Sequence, residues 1–316
     1  MIEVLEAGAL TSVQDASGRP GWRHLGVPVG GAADAWSARL ANRLVGNDDD
    51  AALLEITLRG PTLRFEAPTR VAMTGARFDA TLDERPMPPL LALPVHRGST
   101  LRIASGDGAR AYIAVGGGLR VKPLLGSRST DLRSRFGGHE GRPLAVGDRL
   151  ALGTATTVAR RWRGVPHDGP IRIVPGPHAD RFAPDALADG TWRIAVAADR
   201  IGARLDGGPI ERMPGAEPEV ASMGLPLGAI QVPPDGGPIV MLADRPVTGG
   251  YPVPACVIRA DIGRVALLRT GDPLRFASVS LEGARAALRR MEKELAALED
   301  EGPSSGDELG WAGALE

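Results

Sequence analysis

Hydrophobic residues occur along this chain mostly in short runs that are separated by glycine, proline and aspartate. The runs are rich in valine, isoleucine and leucine, a pattern that is typical of short strands joined by tight turns. We predict such strands at residues 62–65, 71–73, 100–104, 111–115, 149–152, 171–174, 192–196, 238–242 and 265–268. The fold is therefore predicted to be mainly β, with few short helices.

Two segments show the periodicity of an amphipathic helix. The first covers residues 33–45, and its apolar positions are Ala35, Leu40, Leu44 and Val45. The second covers residues 281–298 and follows Ser280, which is a suitable N-cap. Its apolar positions are Leu281, Ala284, Leu288, Met291, Leu295 and Leu298. We expect this second stripe to dock on its own domain or on a partner protein, because such a helix is only marginally stable alone.

Short motifs recur in the two halves of the chain. The copies are Gly26-Val-Pro-Val-Gly-Gly and Gly224-Leu-Pro-Leu-Gly-Ala, then Gly147-Asp-Arg-Leu and Gly271-Asp-Pro-Leu, with Gly98-Ser-Thr-Leu a looser third copy of the latter. One interpretation is chance similarity between turns rich in glycine and proline. The other is a pair of related β-barrel-like halves.

The second interpretation divides the chain near its middle. We predict a first β-barrel domain over residues 1–160, a second over 161–280, a C-terminal helix over 281–299 and a polar tail over 300–316. The boundary follows from an arginine-rich stretch that precedes the strand predicted at residue 171. The tail has few residues that could bury apolar surface.

Composition excludes several kinds of partner and site. The 316 residues carry a formal net charge of -1, whereas nucleic acids and anionic membranes are recognised by a clustered basic surplus. A single cysteine, Cys256, excludes an intrachain disulfide. The N-terminus lacks the features of a signal peptide, and every apolar stretch is too short to cross a bilayer. We predict a cytoplasmic protein with no nucleic-acid or membrane partner.

Standard catalytic signatures do not occur in the sequence. There is no phosphate loop of the Gly-x-x-x-x-Gly-Lys-Ser/Thr type and no Gly-x-Ser-x-Gly motif. The histidines show no spacing that suits a metal ion, so we predict no metal site. They are His24, His96, His139, His167 and His178.

Polar residues in glycine-rich turns are the remaining candidates for a site, because the backbone can approach a ligand closely there. One turn contains Asp15 and Arg19, and its alternative interpretation is an ordinary surface turn. A second turn contains Ser127, Arg128, Ser129 and Thr130. Its amides, hydroxyls and guanidinium are suited to an anion-binding nest, with a strand-to-loop cap as the alternative.

Two further groups lie in the second half of the chain. Asp199 and Arg200 form one of them, and the alternative is that its arginines simply pair with carboxylates. The other combines Ser222, Gly224 and Gln231 with the segment Thr248, Gly249, Gly250 and Tyr251. Tyr251 lies between Gly250 and Pro252, which restrict its backbone. Its side chain is either a site residue or a residue that fills space in the core.

Many of these motifs resemble one known family when they are taken together. In chain order they are Gly18-Arg19, Asp34, Ala41-Asn42-Arg-Leu-Val-Gly46-Asn47, Leu54-Glu55, Thr74-Gly75-Ala76, Gly116-Gly-Gly118, Leu125-Gly-Ser-Arg-Ser-Thr130, Gly137-Gly138, Asp199-Arg200-x-Gly-x-Arg204-Leu, Gly228-x-x-Gln231-Val-Pro and Thr248-Gly-Gly-Tyr251-Pro. The set is similar to the biotin-dependent carboxyltransferase family, also called allophanate hydrolase subunit 2, which includes the C subunit of bacterial 5-oxoprolinase. The resemblance extends over about residues 2–287.

The resemblance implies two cyclophilin-like β-barrel domains in a cytoplasmic bacterial protein that acts only with partner subunits. Relatives fused into urea carboxylase act beside a biotinyl domain whose acceptor lysine lies in a Met-Lys-Met hairpin. Lys293 instead follows Met291-Glu on a predicted helix, and no ATP-grasp segment is present. The chain therefore resembles the separate C subunit more. The partners implied are the A subunit of 5-oxoprolinase and its B subunit, which is similar to allophanate hydrolase subunit 1.

The activity that this resemblance implies is the opening of 5-oxo-L-proline to L-glutamate. The assembled complex would bind and consume ATP, and no cofactor would be bound covalently. Arg128, Arg200 and then Arg19 are candidates for binding the substrate carboxylate. Tyr251 and Asp15 suit protonation of the leaving nitrogen and orientation of water, and Gln231 suits recognition of the amide. Further substrate-binding candidates are Ser127, Ser129, Thr130, Asp199, Thr248, Gly249 and Gly250.

Two other functions remain open at this point. One is the carboxyltransferase component of a biotin-dependent urea or amide carboxylase. The other is a regulatory binding protein, as among relatives that antagonise a kinase inhibitor.

Overall fold

The computed structural model describes residues 1–164 and 168–300. Strands account for 33% of the described residues and helices for 14%, so the predicted mainly-β class is confirmed. The strands form two curled, nearly closed sheets. His167 and the predicted tail from residue 301 onward lie outside the described residues. In the described ranges, no helix is both long and apolar enough to span a membrane.

The first sheet contains the first ten strands of the chain. They are β1 (Ile2–Glu6), β2 (Leu10–Gln14), β3 (Leu53–Arg59), β4 (Thr62–Phe65), β5 (Thr69–Gly75), β6 (Phe78–Leu82), β7 (Arg85–Pro86), β8 (Leu93–Val95), β9 (Thr100–Val115) and β10 (Arg149–Leu150). Their pairings are antiparallel, and the order along the main path is β10-β1-β4-β9-β3-β2.

Strand β9 curls this sheet because it changes neighbours along its length. Its first part pairs with β4 and β6, and its second part pairs with β3 and β5. Gly106 lies between the two parts, where an added Cβ would overlap the carbonyl of Arg77. The strands predicted at residues 100–104 and 111–115 are therefore two ends of one strand.

The second sheet is built from later strands and contains one parallel pair. The remaining strands are β11 (Arg160–Arg161), β12 (Ile171–Pro175), β13 (Trp192–Ile194), β14 (Gly202–Asp206), β15 (Met223–Gly224), β16 (Ala229–Gln231), β17 (Ile239–Met241), β18 (Thr248–Gly249), β19 (Ala255–Val257), β20 (Pro273–Leu274), β21 (Phe276–Ser278) and β22 (Glu299–Asp300). Eight of them form the sheet β20-β13-β14-β17-β16-β19-β12-β21, in which β12 and β21 run parallel. Two small ladders, β11 with β22 and β15 with β18, complete the set. The boundary at residues 160 and 161 stays a prediction.

Three α-helices occur in the described residues: α1 (Ala35–Leu44), α2 (Ile262–Leu267) and α3 (Leu281–Ala296). Asp34 caps α1 by accepting hydrogen bonds from the amides of the first turn, and Ser280 caps α3 as predicted, through Gly283 N at 3.1 Å. The strand predicted at 265–268 is wrong, because most of that segment belongs to α2. Ile262, Val265 and Ala266 are buried at helical spacing, a period that the short apolar run did not reveal.

Each sheet encloses its own apolar core, and a third cluster lies where helices cover the first sheet. Along β5 and β9, Met73 and Ile113 face the first core, whereas Ala72 and Tyr112 face the third cluster. This alternation follows from the two-residue period of a strand. The third cluster also contains the helix residues Leu40, Leu44 and Leu295.

The predicted stripe of α3 is only partly buried. Leu295 is buried, but Leu281 is 59% exposed, and Ala287, which was not in the predicted stripe, is buried instead. Glu292 of α3 makes a bidentate ion pair with Arg39 of α1, at 2.7 and 2.8 Å. The helix thus docks on its own chain through one end of its stripe and through ion pairs.

The repeated Gly-Asp motifs adopt the same local geometry. Gly147 and Gly271 both have φ of 88°, in the left-handed region. The aspartates that follow, Asp148 and Asp272, each accept a hydrogen bond from the backbone N–H three residues earlier, at 2.7 Å. This agreement favours related halves over chance similarity.

Candidate functional site

The Asp15 turn and the Ser127–Thr130 turn, which are far apart in sequence, meet in the folded chain. The Asp15 carboxylate accepts hydrogen bonds from Gly18 N at 2.8 Å, Ser127 Oγ at 2.8 Å, Arg128 N at 2.6 Å and Ser129 Oγ at 2.7 Å. Asp15 is 1% exposed. The predicted anion nest therefore holds an anion, and that anion is the carboxylate of the protein's own Asp15.

This geometry changes the role that we assign to Asp15. A carboxylate that already accepts four hydrogen bonds in a buried position has no free lone pair directed at an attacking water. The hydroxyl of Thr130 also points inward, to Val13 O at 2.9 Å. We therefore revise Asp15, Ser127, Ser129 and Thr130 from catalytic and substrate-binding candidates to residues that position the backbone of Arg128.

The side chain of Arg128 faces an open cavity of about 560 Å³. It makes no hydrogen bond or ion pair with any residue that the structure describes, so its guanidinium is available to a ligand. Glycines of the Gly116–Gly118 loop line the same cavity. The charged lining residues are Asp48, Asp50, Arg120, Lys122 and Arg128.

Asp50 is a cavity residue that the sequence interpretation missed. Its Oδ1 accepts a hydrogen bond from Ser17 N at 2.8 Å. Partial burial, with a contribution from the negative charge of Asp15, raises the pKa of Asp50 above its ordinary value. A carboxyl group with a raised pKa that lines a cavity is suited to proton transfer. The run of three aspartates at residues 48–50 was the signal available in the sequence.

Arg19 does not face this cavity. Its side chain is fully buried, with Nη2 donating to Ser129 O and the guanidinium stacked 4.6 Å from the ring centre of Phe136. Nε and Nη1 have no hydrogen-bond partner in the described part of the chain. Burial lowers the pKa of Arg19, although Asp15, Asp131 and Asp244 oppose this shift. Arg19 is thus an internal residue, and we withdraw it as a candidate for binding the substrate carboxylate.

Arg200 is buried in a charge network that joins the two sheets. Its guanidinium donates to Asp244 through Nε at 2.7 Å, to Gly31 O at 2.6 Å and to Glu55 on β3. Asp199 is exposed, and its Oδ1 accepts hydrogen bonds from Ile201 N and Gly202 N in the turn that follows. We therefore withdraw Arg200 as a substrate-binding residue, in favour of the alternative of arginine paired with carboxylates, and the role of Asp199 stays a prediction.

Glu55 is at the centre of this network. Its Oε2 accepts hydrogen bonds from Ala33 N at 2.8 Å and from the Tyr112 hydroxyl at 3.0 Å, while Oε1 faces Arg200 and Arg110. Burial opposes ionisation of Glu55, but attraction to the two arginines outweighs it and holds the pKa of Glu55 below its ordinary value. In the sequence analysis, Glu55 appeared only as part of the family motif Leu54-Glu55 and was not a site candidate.

The Gln231 group assembles separately on the second sheet. The β15–β18 ladder brings Thr248 and Gly249 against Gln231, whose Nε2 donates to Tyr251 O at 3.4 Å. An added Cβ at Gly249 would lie 2.6 Å from Gln231 Nε2, so a larger residue here would displace the Gln231 amide. Gly250 O accepts a hydrogen bond from Val220 N, and the Tyr251 side chain is exposed. Within the described ranges, no hydrogen bond or ion pair joins this group to the Asp15 turn.

The comparison with protein families decides which family the fold and these motifs represent. The family described as carboxyltransferase domain, subdomains A and B, matches residues 25–278. The chain belongs to this family. The resemblance inferred from the motifs is thereby confirmed.

Two bacterial relatives and one solved structure are similar over nearly the whole chain. The sequence is 40% identical to the C subunit of 5-oxoprolinase from Escherichia coli (strain K12) over 291 residues, which cover 90% of this chain and 93% of that protein. It is 35% identical to the C subunit of 5-oxoprolinase from Haemophilus influenzae over 298 residues, covering 92% and 94%. The structure of K. lactis urea amidolyase superposes with a TM-score of 0.85 at 32% identity, covering 93% of this chain but 20% of the other.

Proposed function

We propose that this chain is the C subunit of a multi-subunit 5-oxoprolinase that opens 5-oxo-L-proline to L-glutamate. The observation that carries the proposal is the similarity to the E. coli C subunit, which covers 90% of this chain and 93% of that protein. A match over almost the full length of both chains supports the same role in an assembly.

The cavity beside Arg128 is our proposed substrate site. The substrate carries one carboxylate, and a guanidinium binds a carboxylate with two parallel hydrogen bonds. Opening the lactam adds water across its C–N bond, so that the carbonyl carbon gains oxygen and the nitrogen gains a proton. Asp50 lies in the same cavity, and we assign to it the acid–base role for which the sequence interpretation considered Asp15 together with Tyr251.

Recognition of the amide by Gln231 and acid–base catalysis by Tyr251 stay proposals. They lie near Thr248, Gly249 and Gly250 on the second sheet, away from the hydrogen bonds of the Asp15 turn. A substrate held by Arg128 would reach them only if the partner proteins complete a site across the two sheets. We propose the A and B subunits of 5-oxoprolinase as those partners, ATP as the co-substrate of the complex and the bacterial cytoplasm as its location.

A second candidate function is supported by the urea amidolyase structure, with its TM-score of 0.85. In that case the chain would transfer a carboxyl group from a biotinyl partner to urea or a related amide. The two proposals differ in the partner proteins that they require: the A and B subunits for the 5-oxoprolinase, and a biotinylated protein for the carboxylase.

Co-expression with the adjacent reading frames separates these two functions. We expect this chain to co-purify with two partners, and we expect the complex to release glutamate from 5-oxo-L-proline only when ATP is added. Streptavidin blotting of the same preparation is expected to detect no biotin. A biotinylated partner together with urea-dependent ATP hydrolysis would instead establish the carboxylase.

A further inference from the structure

Two arginines from different halves of the chain converge on one carbonyl oxygen. Arg23 lies in the loop that follows the Asp15 turn, and Arg245 follows β17. Arg23 Nη2 donates to Leu225 O at 2.8 Å and to Val247 O at 3.0 Å, while Arg245 Nε donates to the same Leu225 O at 3.0 Å. The two guanidinium groups are therefore close neighbours.

These arginines have no acidic partner among the described residues. Neither of them forms an ion pair with a described carboxylate, whereas the similarly buried Arg200 pairs with Glu55 and Asp244. Arg245 is 8% exposed, and its one further hydrogen bond to the described residues runs from Nη1 to Leu242 O at 3.4 Å. Burial, together with repulsion from Arg23 and Arg259, lowers the pKa of Arg245 to about 10.

Such an arrangement is costly without a counter-charge. A buried guanidinium normally pairs with an anion, because desolvation of an unpaired charge costs several kcal/mol. Carbonyl oxygens satisfy some of the N–H groups here, but they do not neutralise the charge. The remaining N–H groups of Arg23 and Arg245 make no hydrogen bond to the described residues. Arg23 is half-buried, so the pair is open to solvent on the side of Arg23.

We propose that Arg23 and Arg245 form a binding site for a small oxyanion, either a phosphate or a carboxylate group. Paired guanidinium groups present several N–H donors, which suits the oxygens of such groups. The site is distinct from the cavity beside Arg128, which the proposed function uses. It joins the loop of the first motif copy, Gly26-Val-Pro, to Leu225 of the second copy, so an anion there would also tie the two halves together.

Binding to the isolated chain tests this proposal without requiring turnover. The probes are inorganic phosphate and acetate, titrated calorimetrically against the purified protein, with sodium chloride at matched ionic strength as the blank. We expect saturable binding of at least one oxyanion and none of chloride. Tighter binding of phosphate would identify a phosphoryl ligand, and tighter binding of acetate a carboxylate.

Variants then locate the binding. Arg245→Gln and Arg23→Gln, the latter at the less buried residue, are each expected to raise the dissociation constant about tenfold or more. This corresponds to the loss of one charge-assisted contact. Arg193→Gln is the matched control, because Arg193 is exposed and donates to a single carbonyl, Gly271 O. The proposal is overturned if neither anion binds the wild-type protein, or if Arg23→Gln binds as tightly as wild type.

Discussion

Replacement of Glu55 by glutamine is the most direct test of the charge network between the two sheets. The change keeps the shape of the side chain and removes its charge. Glu55 receives hydrogen bonds from Ala33 N and Tyr112 on one oxygen, and it faces Arg200 and Arg110 on the other. Either orientation of the new amide directs its NH₂ group at donors.

The expected cost follows from what the substitution leaves behind. Arg200 would keep Asp244, whereas Arg110 would lose its nearest carboxylate, 4.0 Å away. Removal of one member of a buried ion pair typically destabilises a protein by about 3–5 kcal/mol, because the remaining charge is uncompensated. We therefore expect Glu55→Gln to lower the free energy of unfolding by about that amount in guanidinium chloride titrations at pH 7.

The matched control is Glu3→Gln. Glu3 pairs with Arg64 at the surface, where an ion pair contributes about 0–1 kcal/mol. A double-mutant cycle adds a second check, since Arg200→Met combined with Glu55→Gln is expected to cost less than the sum of the two single variants. Equal losses for Glu55→Gln and Glu3→Gln, or strict additivity in the cycle, would refute the network.

The pH dependence of this difference has a definite sign. The pKa of Glu55 in the folded protein lies below its ordinary value of 4.5, so ionised Glu55 stabilises the fold above that pH. This contribution is lost as the pH falls through the lower, folded-state pKa. The gap in stability between wild type and Glu55→Gln is therefore expected to be largest near neutrality and to shrink in acid below pH 4.5.

Two further predictions concern the cavity and the last helix. Arg128→Lys is expected to lower kcat/KM of the assembled enzyme about 10²-fold without changing its melting temperature, because lysine cannot form the two-point carboxylate contact. An unchanged kcat/KM would mean that this turn has a structural role only. Leu295→Glu is expected to destabilise the chain by at least about 1.5–3 kcal/mol. Leu281→Glu, at the exposed end of the same helix, is expected to leave the melting temperature unchanged. Equal melting temperatures of the two variants would mean that the helix does not dock.

Elements with a clear period were predictable from the sequence. Helix α1 and helix α3 with its Ser280 cap follow from spacing that repeats over several turns. Most short strands follow from apolar runs bounded by turn residues. Helix α2 was mistaken for a strand because six residues are too few to separate the two periods.

The site was less predictable because its contacts join residues that are distant in sequence. Ser127 and Asp15 are 112 residues apart, and Arg200 and Glu55 are 145 residues apart. A turn that presents amides looks the same in sequence whether its anion is a ligand or another side chain of the protein. The three-dimensional contacts alone show that Asp15 fills the predicted nest and that Arg128 is left facing the cavity.

The central proposal makes this chain a necessary part of an ATP-dependent lactam hydrolase. The most direct measurement is glutamate release from 5-oxo-L-proline by three co-purified proteins, compared with each preparation in which one of the three is omitted. We predict that glutamate appears together with ADP in the full complex, and that neither this chain alone nor the complex without it releases glutamate. Release at an undiminished rate without this chain, or by this chain alone, would contradict the proposal.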